Sequence, residues 1–95
     1  MYKSKLQNED LDRFFRAALS LQNVEECYMF FEDVCTISEL TAIAQRLKVA
    51  RLLKEKRTCN EISHLTGAST ATISRVNRCL QYGAGGYDLV LSRMQ

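Results

Sequence analysis

Thr58-Cys59-Asn60-Glu61-Ile62-Ser63-His64-Leu65-Thr66-Gly67-Ala68-Ser69-Thr70-Ala71-Thr72-Ile73-Ser74-Arg75 is the stretch that decides the fold. Thr58 and Glu61 stand at the S/T-x-x-E spacing of a capping box, in which each side chain satisfies the other residue's backbone N–H. The helix opened there is short, because Gly67 follows Glu61 by six residues and glycine readily takes the left-handed conformation that ends a helix. Ser69 then caps a second helix, predicted from Thr70 to about Tyr82, with Ile73, Val76 and Leu80 at helical spacing. Two helices crossing about a glycine-bearing turn make a helix-turn-helix, here pinned together by Ile62, Leu65, Ala68, Ile73 and Val76. Thr70, Ala71 and Thr72 give the second helix a start of small or hydroxylated side chains. These can enter a major groove and meet thymine methyls or donate short hydrogen bonds.

Upstream, Thr36-Ile37-Ser38-Glu39 repeats the capping-box spacing and opens a long helix, with Leu40, Ile43, Ala44, Leu47, Ala50 and Leu53 on one stripe and an end near Lys54 or Glu55. Further back, Asn8 is placed to cap a helix carrying Leu11, Phe14, Phe15, Ala18 and Leu19. Asn23 breaks the chain into another helix with Val24, Cys27, Tyr28, Phe31 and Val34. The aromatics Phe14, Phe15, Tyr28, Phe30 and Phe31 read as core or dimer interface rather than a ligand box. Downstream, Gly83-Ala84-Gly85-Gly86 closes the recognition helix, and Tyr87 to Gln95 reads as a last helix. The expectation is an all-α chain forming a single domain over 1–95. Within it, 8–35 are dimerisation helices, 36–56 a long helix, 58–82 the helix-turn-helix and 86–95 the C-terminal helix.

A plain helical hairpin also has a glycine turn, so charge must discriminate. The whole chain carries only +2. Between Arg46 and Arg78 there are eight basic residues and two acidic ones, giving +6, whereas residues 1–45 hold four basic and eight acidic, giving −4; the remaining tail is neutral. Phosphate contacts supply most nonspecific affinity for nucleic acid, and a basic module around a groove-entering helix is what such binding needs. Arg75, Arg78, Lys56 and Arg57 are the expected phosphate-neutralising side chains. A protein-interaction module docking on transcription or replication machinery is the alternative from another class.

Other classes find little support. No apolar run approaches the ~18 residues of a membrane span. Met1-Tyr2-Lys3-Ser4-Lys5 leads into polar residues without a signal-peptide core, so a cytoplasmic protein is expected. Cys27, Cys35, Cys59 and Cys79 are widely spaced and lack any C-x-x-C pairing, and His64 is the lone histidine. Buried reduced thiols and no metal site are therefore expected. One histidine and no clustered acids leave nothing for acid–base or covalent catalysis, and His64 is expected to be exposed or near a phosphate.

Glu61-Ile62 through Gly67-Ala68, Ala71-Thr72-Ile73-Ser74-Arg75 and Leu80 resemble the Trp repressor superfamily. Ala44-Gln45-Arg46-Leu47-Lys48-Val49-Ala50-Arg51-Leu52-Leu53 and Cys79-Leu80-Gln81-Tyr82-Gly83 are similar to its YerC/YecD branch in Gram-positive bacteria. The resemblance implies an intertwined homodimer whose N-terminal helices wrap the partner chain, with double-stranded DNA as the other partner. It implies base-facing roles for Ser69, Thr70, Ala71 and Thr72, and backbone contacts from Ser74, Asn60 and Ser63. It also implies a small-effector site for L-tryptophan or another ligand. There Arg75 would stack on the ligand or instead meet a phosphate, Arg46 would bind the carboxylate, and Cys79 would stand where the tryptophan binder has serine. Val76 replaces a glycine that gives the indole room.

Overall fold

In the computed structural model, which describes residues 1–94, six helices and no strand are formed among the described residues. They are α1 (Glu9–Leu19), α2 (Val24–Val34), α3 (Ile37–Lys54), α4 (Cys59–Thr66), α5 (Thr70–Tyr82) and α6 (Gly86–Arg93). The all-α expectation therefore holds, and none of these helices is long and apolar enough to cross a membrane. The expected C-terminal helix ends at Arg93 with Met94 as its cap; Gln95 lies outside the described residues. Contacts divide the chain into two compact units, Met1–Ile37 and Ser38–Gln95.

The first unit is built on two asparagine caps. Asn8 Oδ1 accepts from the Leu11 N–H and Asn23 Oδ1 from the Glu26 N–H, each at 2.8 Å. Each satisfies an N–H that would otherwise lack a partner in the first turn. Phe14 gathers the unit's rings, stacking on Phe30 at 5.8 Å between centroids and meeting Phe31 edge-on at 6.3 Å. Neither helix has a fully buried residue, and Tyr28 is exposed rather than part of a core.

The second unit holds the fully buried core of the described chain: Val49, Ala50 and Leu52 from α3, Ile62 from α4, Ala68 in the turn, and Ile73 and Val76 from α5. Leu53, Leu80, Tyr87 and Leu91 pack against it. Burying each of the Val, Leu and Ile side chains contributes ~1.5–3 kcal/mol, so α4 and α5 are clamped together and onto the end of α3. Three expectations are corrected here. Leu65 does not pin the helix-turn-helix; it is about half exposed, and the turn closes through hydrogen bonds instead. On α3 the buried residues are Val49, Ala50 and Leu52, while Ile43 and Ala44 are exposed, because apolar residues surround the C-terminal half of that helix. The cysteines are free thiols but not buried: Cys59 and Cys79 are exposed and Cys27 and Cys35 half-buried, Cys59 being drawn to the surface as the first residue of α4.

α3 stops in an unusual way. The Lys56 N–H donates to Leu53 O at 3.0 Å and the Arg57 N–H to Leu52 O at 3.2 Å, the paired bonds of a Schellman stop. The left-handed residue this stop requires is Lys56, at φ 66°.

Candidate nucleic-acid interface

Both ends of α4 are fixed by local hydrogen bonds. The Thr58 hydroxyl accepts from the Glu61 N–H at 3.2 Å, and the Glu61 carboxylate accepts from the Thr58 N–H at 3.1 Å. The Thr58 backbone bond, then its hydroxyl bond, then Arg57 hold the Glu61 carboxyl below the usual glutamate range. At the far end Gly67 takes φ 74°, ψ 4°, and its N–H donates to Ser63 O at 2.8 Å. The Ser63 hydroxyl donates to Ala68 O at 3.0 Å, the Thr66 hydroxyl donates to Ile62 O at 2.7 Å, and the Thr66 hydroxyl accepts from the Ala68 N–H at 3.1 Å. The turn is thus bound by two hydroxyls around one glycine. Gln45 Nε2, donating to Thr66 O at 3.1 Å, ties it to α3.

α5 begins with Ser69, whose hydroxyl accepts from the Thr72 N–H and donates to the Thr72 hydroxyl, both at 3.1 Å. No acidic residue occupies its first turn, so the partial positive charge of the helix start meets no internal carboxylate. Ser69, Thr70, Ala71, Ser74, Arg75 and Arg78 are exposed, while Thr72 is half-buried beside the cap. Asn60 and His64 are exposed on α4 and Ser63 is half-buried, its hydroxyl proton committed to Ala68 O.

The eight basic residues between Arg46 and Arg78 fall into two groups. Arg51 pairs with Glu55 at 3.3 Å, Lys54 with Asp88 at 2.7 Å, and Arg57 with Glu61 at 3.3 Å and Glu55 at 3.9 Å. Arg46, Lys48, Lys56, Arg75 and Arg78 have no ion-pair partner among the described residues. Sequence reading missed this division, and also missed Gln45 and Thr66 as positioning residues. The i,i+4 spacings of Arg51–Glu55 and Arg57–Glu61 were available as a signal. The Gln45 bond spans 21 residues and has no local signature.

The three proposed effector residues do meet. Arg46, Arg75 and Cys79 line one cavity of about 450 Å³, together with Ile43, Leu47, Val76, Gly86, Tyr87 and Val90. Two guanidiniums against apolar walls suit an apolar molecule bearing a carboxylate. No acid or serine is in the lining to receive an ammonium group.

An all-helical chain with a doubly fixed helix-turn-helix, an acid-free recognition-helix start and unpaired cations around it has the makeup of a helix-turn-helix DNA binder. Residues 9–95 match the family described as Trp repressor protein. The chain belongs to the Trp repressor family, a family of DNA-binding regulators rather than enzymes. It is 53% identical to the uncharacterized protein YerC of Bacillus subtilis (strain 168), across the whole of this chain and 91% of that protein. Two solved structures are similar throughout. A TrpR-like protein from Eubacterium eligens ATCC 27750 has a TM-score of 0.91 and 53% identity, covering 95% of this chain and 93% of that one. A Staphylococcus aureus protein provisionally described as a Trp repressor has a TM-score of 0.91 and 50% identity, covering 95% and 90%.

Proposed function

We propose that the protein is a cytoplasmic, sequence-specific transcriptional repressor that reads the major groove as a homodimer. The observation that carries this reading is the exposed, acid-free start of α5, with Arg75 and Arg78 unpaired behind it. Thr70 and Thr72 face bases, with Ser69 and Ala71 beside them; Ser74 and Asn60 contact the backbone, and Ser63 holds the turn behind them through Ala68 O. A second copy is needed because α1 and α2 bury no residue fully and leave Phe15, Leu19, Tyr28 and Met29 more than half exposed. In this reading residues 1–95 act as one domain completed by the partner. Two recognition helices in successive major grooves lie ~34–36 Å apart, so the operator is a rough palindrome.

The test is a mobility-shift titration across salt with selected and random duplexes. Each neutralised phosphate contributes ~0.9 to the slope of log affinity against log salt. The five unpaired cations per protomer between Arg46 and Arg78 therefore contribute at most about 9 to the dimer's slope, against about 14 if all eight basic residues of that stretch contributed. A flat response, or equal affinity for selected and random duplexes, refutes the reading.

The meeting of Arg46, Arg75 and Cys79 at one cavity favours a small effector as a second element of function, L-tryptophan or another apolar carboxylate. The chain contains no tryptophan, so any indole emission comes from added ligand. Emission unshifted at millimolar L-tryptophan removes tryptophan as that effector.

A further inference from the structure

The corner between α3 and α4 carries two adjacent cations that the fold treats in opposite ways. Arg57 is committed internally, its guanidinium shared between Glu61 at 3.3 Å and Glu55 at 3.9 Å. A phosphate approaching it would meet two carboxylates already in place. Lys56 is exposed and has no ion-pair partner among the described residues. It is also the only non-glycine residue at positive φ among them, at the stop position where glycine is the common occupant. An L side chain there is strained, and nothing about the α3 stop requires a long cationic one: both of its hydrogen bonds are made by backbone atoms. The helix dipole favours a cation at this end by ~0.3–1 kcal/mol, less than the ~1–2 kcal/mol cost of the left-handed backbone, so local stability still leans to glycine or asparagine at position 56. A lysine held there against that preference points to a use outside the fold.

We propose that Lys56 is the phosphate contact of this corner, and that Arg57 is a positioning residue that holds the corner through Glu55 and Glu61. The inference rests on the DNA-binding reading above and divides between the two residues a role that adjacency alone would give to both. Lys56 follows the end of α3 and lies two residues before the cap of α4, so an anion held there would fix the long helix and the helix-turn-helix to one strand of the duplex.

The experiment compares the full chain with Lys56→Gly, Lys56→Asn and Arg57→Gln, measuring melting temperature and the salt dependence of operator affinity. Glycine and asparagine both tolerate the left-handed backbone, so these two variants remove the charge while keeping the stop. Both should melt within a few degrees of the parent, because relief of the left-handed strain is offset by the lost helix-end charge and, for glycine, by the freer unfolded chain. Their salt slope should be shallower by about 1.8 for the dimer, one phosphate per protomer. Between 50 and 200 mM salt that is about twelvefold less affinity lost than in the parent. Arg57→Gln should lower the melting temperature and leave the slope unchanged. An unchanged slope in both Lys56 variants, or an equal loss of slope in Arg57→Gln, overturns the inference. A parent protein whose own affinity ignores salt would instead overturn the DNA-binding reading on which it rests.

Discussion

Two glycines pose the same steric question and opposite conformational ones. Gly67 ends α4 at φ 74°, whereas Gly86 is the first residue of α6 and lies outside the left-handed region. A Cβ added to either meets no atom within 4 Å, so alanine costs nothing in packing at either place. Alanine restricts the unfolded chain, which stabilises the folded state by ~0.4–1 kcal/mol where the native backbone suits it. Gly86→Ala should show that gain. Gly67→Ala has the same gain but sets against it the ~1–2 kcal/mol cost of placing an L-residue in the left-handed conformation. The unfolded-state contribution is common to both variants, so their difference isolates the backbone cost at about 1–2 kcal/mol. At 4–8 °C per kcal/mol for a domain of this size, the two melting temperatures should differ by roughly 4–16 °C, with Gly86→Ala above the parent and Gly67→Ala at or below it. Gly67→Asn should recover most of the loss, since asparagine tolerates that region. The assay is thermal melting followed by circular dichroism, all variants at one protomer concentration, with urea midpoints as a second measure. Gly67→Ala melting with or above Gly86→Ala would refute the claim that the positive φ at position 67 dictates its residue.

Ile62→Ala empties a fully buried position that clamps α4 and should cost ~2–5 kcal/mol, read as a lower urea midpoint, with operator binding weakened in proportion to the folded fraction. The Glu61 carboxyl is held below its usual range in the folded chain. Its contribution is therefore present above the unfolded value of about 4.3 and lost as pH falls through the lower folded value. Glu61→Gln keeps a side chain able to cap but removes this titration, so parent and variant should converge in stability below about pH 4; a gap that widens on acidification contradicts the assignment. If folding and dimerisation are coupled, an unfolding enthalpy of about 0.7 kcal/mol per residue raises the melting temperature by ~4 °C per tenfold protomer concentration. An unchanged melting temperature over a hundredfold range contradicts that coupling.

What the sequence made legible was what residues a few positions apart decide between themselves. Asn8, Asn23, Thr58 with Glu61, Gly67 and Ser69 each settle one helix end through a bond spanning at most four residues, so spacing alone places the elements. The buried face of α3 was less legible. Leu47, Val49, Ala50, Leu52 and Leu53 surround the helix, and only the docking of Ile62 and Val76 decides that Val49, Ala50 and Leu52 are covered. The end of α3 falls at Lys54, where spacing put it, but its left-handed stop was not legible, since Lys56 adopts a backbone that sequence rules give to glycine or asparagine.

Charge was legible as a sum but not as a field. Counting gives +6 between Arg46 and Arg78, yet Arg51, Lys54 and Arg57 each have a carboxylate within 3.3 Å. One of those carboxylates, Asp88, belongs to α6 and lies outside the counted stretch. A pair that close behaves as a dipole and fades well within the ~8 Å screening length of physiological salt. These half-exposed pairs add at most about 1 kcal/mol each to stability. On the DNA-binding reading proposed above, their larger effect is to withhold three cations from phosphate, leaving Lys48, Lys56 and Arg78, with Arg46 and Arg75 at the cavity, as the charges of this stretch that a duplex would meet. Net charge thus sets whether such a module attracts DNA at a distance, and the placement of its few carboxylates sets which side chains take hold of it.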